Sequence, residues 1–164
     1  MGAHEARATG HTVWRISRAK YARAAFAGDG ARLFAGRWNP TGVRMVYTSS
    51  SLALAAVETF VHLDPGVAPD DLVSLRAVIA PSVKVERIAE KDLPADWRAA
   101  ENMQLRKIGA EWAASLRSVA LEVPSVVIDG EWNVLLNPAH LQFAKIEIGE
   151  PRPFRFDGRM FRRR

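Results

Sequence analysis

Apolar residues fall along the chain in short blocks whose period changes from segment to segment. Val13-Trp14-Arg15-Ile16 predicts a short first strand, and Val43-Arg44-Met45-Val46-Tyr47 a second, entered from the turn residues Asn39-Pro40-Thr41-Gly42. Ser49 to Ser51 supply candidate N-caps for a helix. Leu52, Ala55, Ala56, Thr59 and Leu63 then recur at helical spacing to about His62, and Asp64-Pro65-Gly66 ends the run. Leu72 to Ala80 has strand composition and is stopped by Pro81. Trp97, Leu105, Ile108, Trp112 and Leu116 share one face of a longer helix predicted over residues 95–117, with its aromatics in the core. Val123 to Ile128 is an apolar, strand-like run interrupted by Ser125, and Phe143 to Ile148 reads as the final strand. Strands and helices mix without a regular βαβ alternation, so the predicted class is α+β.

No internal repeat and no Pro/Gly/Ser-rich linker divides the 164 residues, and with 48% hydrophobic content they suit one domain. The absence of cysteine excludes disulfides, a thiolate nucleophile and any cysteine-ligated metal. The N-terminal stretch lacks an apolar leader core, and no run of about 18 apolar residues occurs, so a cytoplasmic protein without a membrane segment is expected. Ala6 stands where a myristoylation signal requires Ser or Thr. The net charge of +5 could indicate a nucleic-acid partner, but residues 152–164 hold six arginines against Asp157 and so carry all of it. The expectation is a neutral body with a solvated basic tail.

Several chemistries find no support. Gly28-Asp29-Gly30 begins like a dinucleotide fingerprint, yet Leu33 occupies the place of its third glycine. There is no phosphate loop and no nucleophile elbow. The histidines at 4, 11, 62 and 140 form no metal-binding pattern, so metal-free chemistry is expected.

Two segments stand out. The first is Ala35-Gly36-Arg37-Trp38-Asn39-Pro40-Thr41-Gly42, followed by Tyr47 and Glu58. Its glycines permit close approach to a ligand, Arg37 offers a planar fork suited to phosphate, and Tyr47 can stack on a heterocycle while donating a hydrogen bond. Taken singly, such residues are usually surface or core-rim groups. Glu58 is less ordinary, because Ala55, Ala56, Val57, Phe60 and Val61 surround it and a carboxylate there needs a partner or a ligand. The second segment runs from Pro124-Ser125 through Glu131, Asn133 and Asn137-Pro138 to His140. Its polar groups must be satisfied, and for Asn137-Pro138 and His140 turn and capping roles are favoured.

Together the segments resemble the RES-domain toxins, the toxic partners of Xre-like antitoxins in bacteria. The resemblance spans about Trp14 to Phe156 and rests on Trp14-Arg15, Gly36-Arg37-Trp38-Asn39, Tyr47, Glu58, Pro124-Ser125, Glu131, Asn133 and Asn137-Pro138. The family's eponymous Arg, Glu and Ser match Arg37, Glu58 and Ser125, while Ala35 replaces the first glycine of the usual Gly-Gly-Arg-Trp. It implies an N-terminal extension over 1–12, a RES-like domain over 13–156 and a basic tail over 157–164. It also implies a fold like that of the ADP-ribosyltransferase (diphtheria-toxin-like) enzymes and cleavage of the nicotinamide–ribose bond of NAD, with NAD as substrate and no metal. In that chemistry Glu58 would stabilise the ribose cation, and Arg37 with Arg15 would hold the pyrophosphate. Tyr47 would stack on the nicotinamide end. Ser125 and Asn133 would orient substrate by hydrogen bonds, without a covalent role for Ser125, and Trp38 and Asn39 would complete the substrate-binding set.

Expected partners are an Xre-like antitoxin and a second copy of the toxin in a homodimer, with nucleic acid reached only through the antitoxin. Two alternatives stand beside hydrolysis or phosphorolysis of NAD. One is transfer of ADP-ribose to a host protein; the other is a non-enzymatic module that binds nucleic acid or protein through its basic tail.

Overall fold

The computed structural model describes residues 10–64 and 66–161. The chain begins in strand β1 (His11–Arg18), which pairs antiparallel along its whole length with β3 (Leu72–Ile79), from His11 opposite Ile79 to Arg18 opposite Leu72. Between them lie a short helix α1 (Asp29–Leu33), strand β2 (Val46–Ser49) and helix α2 (Leu52–Phe60). Downstream come β4 (Val85–Arg87), helix α3 (Met103–Ser115), β5 (Ala120–Pro124), β6 (Trp132–Leu136), β7 (Ile146–Ile148) and β8 (Arg152–Phe154). The strands form one sheet in the order β4-β5-β6-β2-β1-β3-β7, with β8 also on β3. Every pairing is antiparallel except β4 with β5.

Strand periodicity divides the core between the two faces of this sheet. On β6, Val134 and Leu136 enter one apolar cluster with Val13, Val46, Leu75 and Ile79, whereas Leu135 enters the other with Trp38, Trp97, Leu105 and Trp112. Helix α3 covers this second face through Leu105, Gly109, Trp112 and Ala113. Gly109 is a point of contact that no side chain could share, because a Cβ there would lie 1.8 Å from the backbone oxygen of Trp38.

Both longer helices start at side-chain caps. Ser51 Oγ accepts from the Leu54 N–H at 3.1 Å, and Asn102 Oδ1 accepts from the N–H groups of Gln104 and Leu105. The Asn102 cap places the start of α3 at Met103, so the predicted helix over 95–117 is eight residues too early at its N-terminus. Trp97 is buried, as expected, but from the preceding loop, and Leu116 is exposed at the helix end with φ 52°. Four further expectations shift. The second strand begins at Val46 rather than Val43, and Ser49 belongs to that strand rather than to the cap. Ser125 lies just past the end of β5 rather than inside a strand. Leu141–Lys145 is a 3-10 helix, so β7 starts only at Ile146, and β8 follows it.

The tail expected over 157–164 is described as far as Phe161; Arg162, Arg163 and Arg164 lie outside the described residues, as does most of the extension over 1–12, including His4. Its described part carries the exposed Arg159, yet it is docked rather than free. Phe161 and Phe156 pack at 5.4 and 5.8 Å between ring centroids on Phe60 of α2.

Candidate functional site

Glu58 projects from the second turn of α2 into a notch closed by β6 and the segment after β5. Its Oε1 accepts two short hydrogen bonds, from Ser125 Oγ at 2.7 Å and from Asn133 Nδ2 at 2.6 Å. Each donor is itself oriented. Asn133 Oδ1 accepts from Ser49 Oγ at 2.7 Å, a contact that follows from register because Ser49 and Asn133 face each other across β2 and β6. Ser125 Oγ accepts from the N–H groups of Val127 and Ile128, so its one proton is directed to the carboxylate. Hydrogen bonds to an ionised group each contribute roughly 1.5–3 kcal/mol, and two on one oxygen hold the carboxylate in a single orientation. Among the described residues no protein donor reaches Oε2, which leaves that oxygen for a ligand.

Tyr47 is the second fixed group. Its hydroxyl donates to Asn39 Oδ1 at 2.6 Å and accepts from the Trp38 N–H at 3.0 Å. Asn39 is 0% exposed, and its amide donates to the carbonyls of Ala31, Phe34 and Pro40. The tight Gly36–Asn39 turn under Tyr47 tolerates no side chain at Gly36, where a Cβ would come within 2.6 Å of the Tyr47 hydroxyl. Burial pushes the Tyr47 phenol up to about 12, against the opposing pull of the Trp38 N–H and the positive charges of Arg106 and Arg37. The phenol therefore stays protonated at neutral pH.

Three arginines surround this pair. Arg15 Nη1 donates to the Tyr47 carbonyl at 2.7 Å, while its buried Nε finds no partner. Burial lowers its pKa from the ordinary value. Arg37 Nη1 donates to the carbonyls of Trp97 and Ala99, tying the loop before α3 to the site. Burial lowers the Arg37 pKa too, and the negative charge of Glu58 opposes the shift. Arg106 of α3 donates from Nε to the Gly36 carbonyl at 3.0 Å.

Two cavities open on either side of these groups and share Tyr47, Glu58, His62 and Asn133 as their common wall. The smaller, about 350 Å³, adds Trp14, Arg15, Ile16, Ser49, Thr59 and Leu63. The larger, about 620 Å³, adds Arg37, Arg106, Glu101 and the backbone around Gly36 and Val126. Both lie in the usual size range of small-molecule sites.

Arg15, Arg37, Tyr47, Glu58 and Asn133 thus reach the cavities, with Arg15 and Arg37 on opposite sides of the shared wall. Ser125 is 1% exposed and meets the site only through Glu58. Trp38 and Asn39 lie beneath Tyr47, Trp38 bordering the larger cavity with its ring packed in the core and Asn39 with its side chain bonded within the protein. Asn137 and His140 take the turn and capping roles expected of them: Asn137 bonds Ala113 O and Ala139 N, and His140 Nδ1 accepts from Gln142 N.

Ser49, His62 and Arg106 escaped the sequence reading. His62 follows Glu58 by four residues, a spacing that could have revealed a shared helical face. Arg106 comes from a distant helix and carries no local signal. Among the described residues no cluster of three or more His, Asp or Glu side chains could hold a metal.

Comparison with known proteins gives a consistent picture. The RES domain family model matches residues 12–157. The Prs ADP-ribosylating toxin of Sphingobium sp. (strain YBL2) is 37% identical over 157 residues, covering 93% of this chain and 98% of that one. A protein named Toxin Res from Photorhabdus laumondii is 35% identical over 137 residues, covering 81% of this chain and 85% of that one. Among solved structures, the M. tuberculosis MbcT–MbcA toxin–antitoxin complex contains a chain of similar fold, with a TM-score of 0.67 at 15% identity over 89% of this chain and 85% of that one.

Proposed function

Since the chain belongs to the RES-domain family, we propose that it is the toxin of a bacterial toxin–antitoxin pair and that it consumes NAD by breaking the nicotinamide–ribose bond. One observation carries the reading: the Glu58 carboxylate is locked through one oxygen by Ser125 and Asn133 and faces both cavities. As the bond between ribose C1′ and the nicotinamide nitrogen breaks, its electron pair stays on the ring, which leaves neutral, and positive charge grows on the ribose. A preorganised carboxylate beside the sugar stabilises that cation. An acceptor oxygen from water or phosphate then bonds to C1′, and water releases its proton to solvent.

Tyr47 stacks on the nicotinamide end, its ring held in place by the hydrogen bonds of its hydroxyl with Asn39 and Trp38. Arg37 and Arg15 supply positive charge to the phosphates from the two sides of the shared wall, and Asn133 orients the ribose as well as Glu58. Trp38 and Asn39 act through Tyr47. No metal takes part in this scheme. The fold is read as ADP-ribosyltransferase-like, and the protein as cytoplasmic. An Xre-like antitoxin covers the cleft, the toxin forms a homodimer within the complex, and nucleic acid is contacted through the antitoxin.

Purified protein incubated with NAD should release nicotinamide, and Glu58→Gln, which keeps size and hydrogen bonding but removes the charge, should slow release by at least about 10²-fold. No release, with or without phosphate, overturns the reading. Similarity to a toxin named as ADP-ribosylating supports a second outcome, transfer to a host protein. Labelled NAD in cell lysate separates the two, since a labelled protein band marks transfer and free ADP-ribose marks hydrolysis.

A further inference from the structure

The larger cavity holds two cations from unrelated parts of the chain. Arg37 enters from the turn before β2 and is anchored on one edge by the carbonyls of Trp97 and Ala99. Arg106 enters from α3 and is anchored through Nε to the carbonyl of Gly36, the residue preceding Arg37. Beyond this anchor, Arg106 Nη1 makes only a 4.0 Å contact with Met103 Sδ. Neither guanidinium has a carboxylate within 4.0 Å among the described residues. Arg37, Arg106 and Tyr47 line the same cavity, and the anchor of Arg106 on the Gly36 carbonyl sets it beside the residue that carries Arg37; both positive charges also act on the Tyr47 hydroxyl.

Two like charges lining one partly buried cavity repel each other; Glu58 offsets part of the Arg37 charge and Glu101 lines the same cavity, but neither carboxylate pairs with either guanidinium, so an anion between the two is favoured. Support for the Gly36 carbonyl alone would not need a cation, because any neutral donor would serve. Two planar forks with free N–H edges fit a ligand that carries two adjacent anionic groups. Arg15, in contrast, lines the cavity on the other side of Tyr47 and Glu58.

From this geometry we infer that Arg106 is a substrate-binding residue and that it forms, with Arg37, the grip for the diphosphate of a dinucleotide in the larger cavity. The inference rests on the proposed NAD-cleaving reading and names the part of the substrate that the larger cavity receives, with Arg15 adding positive charge from across the shared wall. Gly109 makes the arrangement feasible: it lies one turn beyond Arg106, and its missing side chain lets α3 touch the Trp38 backbone.

The test compares wild type with Arg106→Gln and Arg106→Lys in the full chain. The substrates are NAD and nicotinamide riboside, which has the same scissile bond and no phosphate. Direct binding of ADP-ribose is measured in parallel by calorimetry. Loss of a charge-assisted contact predicts that Arg106→Gln raises KM for NAD and weakens ADP-ribose binding by roughly 10- to 100-fold, with a smaller change in kcat. The preference for NAD over nicotinamide riboside should fall by the same factor, and Arg106→Lys should recover part of it. Equal losses on both substrates would mean that Arg106 only props the Gly36 turn, and would overturn the inference. So would an unchanged KM for NAD. If wild type binds ADP-ribose and Arg106→Gln binds it about tenfold less tightly, but nicotinamide is never released, the diphosphate grip stands and the catalytic reading falls. If wild type binds no ADP-ribose, the grip falls.

Discussion

Replacing Asn133 with aspartate tests the carboxylate lock with almost no change in shape. The amide that now donates to Glu58 Oε1 at 2.6 Å becomes a second carboxylate, while Ser49 can still donate to its other oxygen. Two unit charges about 4 Å apart in surroundings of effective dielectric constant about 20 repel by about 4 kcal/mol. Such repulsion holds one shared proton on the pair to higher pH than a lone carboxylate would keep it. The folded variant then binds that proton more tightly than the unfolded chain does. Its stability relative to wild type is therefore greatest in acid, below the unfolded carboxylate pKa, and declines as pH rises through the raised value. Between pH 4 and pH 8 the deficit should grow by several kcal/mol, on the order of the repulsion itself.

Activity should follow a different course. In acid the shared proton leaves one negative charge on the pair, distributed over two residues instead of held on Glu58; at neutral pH the second charge pushes the carboxylates apart. Nicotinamide release by Asn133→Asp should thus come closest to wild type in acid and fall behind as pH rises. Paired denaturant melts and rate profiles across the same pH series provide the check. A constant deficit at all pH values in both measurements would refute the reasoning, since it would mean that the Asn133 amide does not meet the Glu58 carboxylate.

Two more outcomes follow from the groups beneath the cleft. In a Tyr21→Phe background Tyr47 is the only phenol, so ultraviolet phenolate absorbance reports it alone, with a midpoint expected at about 12. Because the folded value is raised, the associated stability is complete below pH 10 and is lost between about 10 and 12, by at most about 3 kcal/mol; a midpoint at the free-tyrosine value would contradict the buried, bracketed hydroxyl. Gly109→Ala gains up to about 1 kcal/mol in helix propensity but forces α3 off the Trp38 carbonyl, and should lower stability overall by roughly 1–3 kcal/mol in thermal melts. A stabilised variant would show that α3 and the Arg37 turn are not in contact.

What the sequence alone determined is local. The helical spacing after Ser51, the strand composition of Leu72 to Ala80 and the turn glycines around Arg37 are all written in neighbouring residues, and the structure places α2 at Leu52–Phe60 and β3 at Leu72–Ile79. Glu58 stood out because a carboxylate among apolar neighbours must be answered by something. Resemblance to the RES family supplied Arg37, Tyr47, Ser125 and Asn133 beside it.

Other features had no local signal. Strand β6, on which Asn133 lies, contributes Val134 and Leu136 to one core and Leu135 to the other, so it shows no alternation to read. The start of α3 was misplaced because Trp97 is as apolar and as buried as the helix residues; only the Asn102 cap separates them.

Tertiary structure decided which groups meet. The 2.6 Å contact of Asn133 with Glu58 spans 75 residues, and the contact of Arg106 with Gly36 spans 70. Hydrogen bonds and charges act over a few ångströms in space, whatever the separation along the chain. Periodicity can therefore place a residue on a helix or strand, but only the register of β2 against β6 and the seating of α3, at Gly109, against the Trp38 backbone bring Ser49, Asn133, Arg37 and Arg106 around one site.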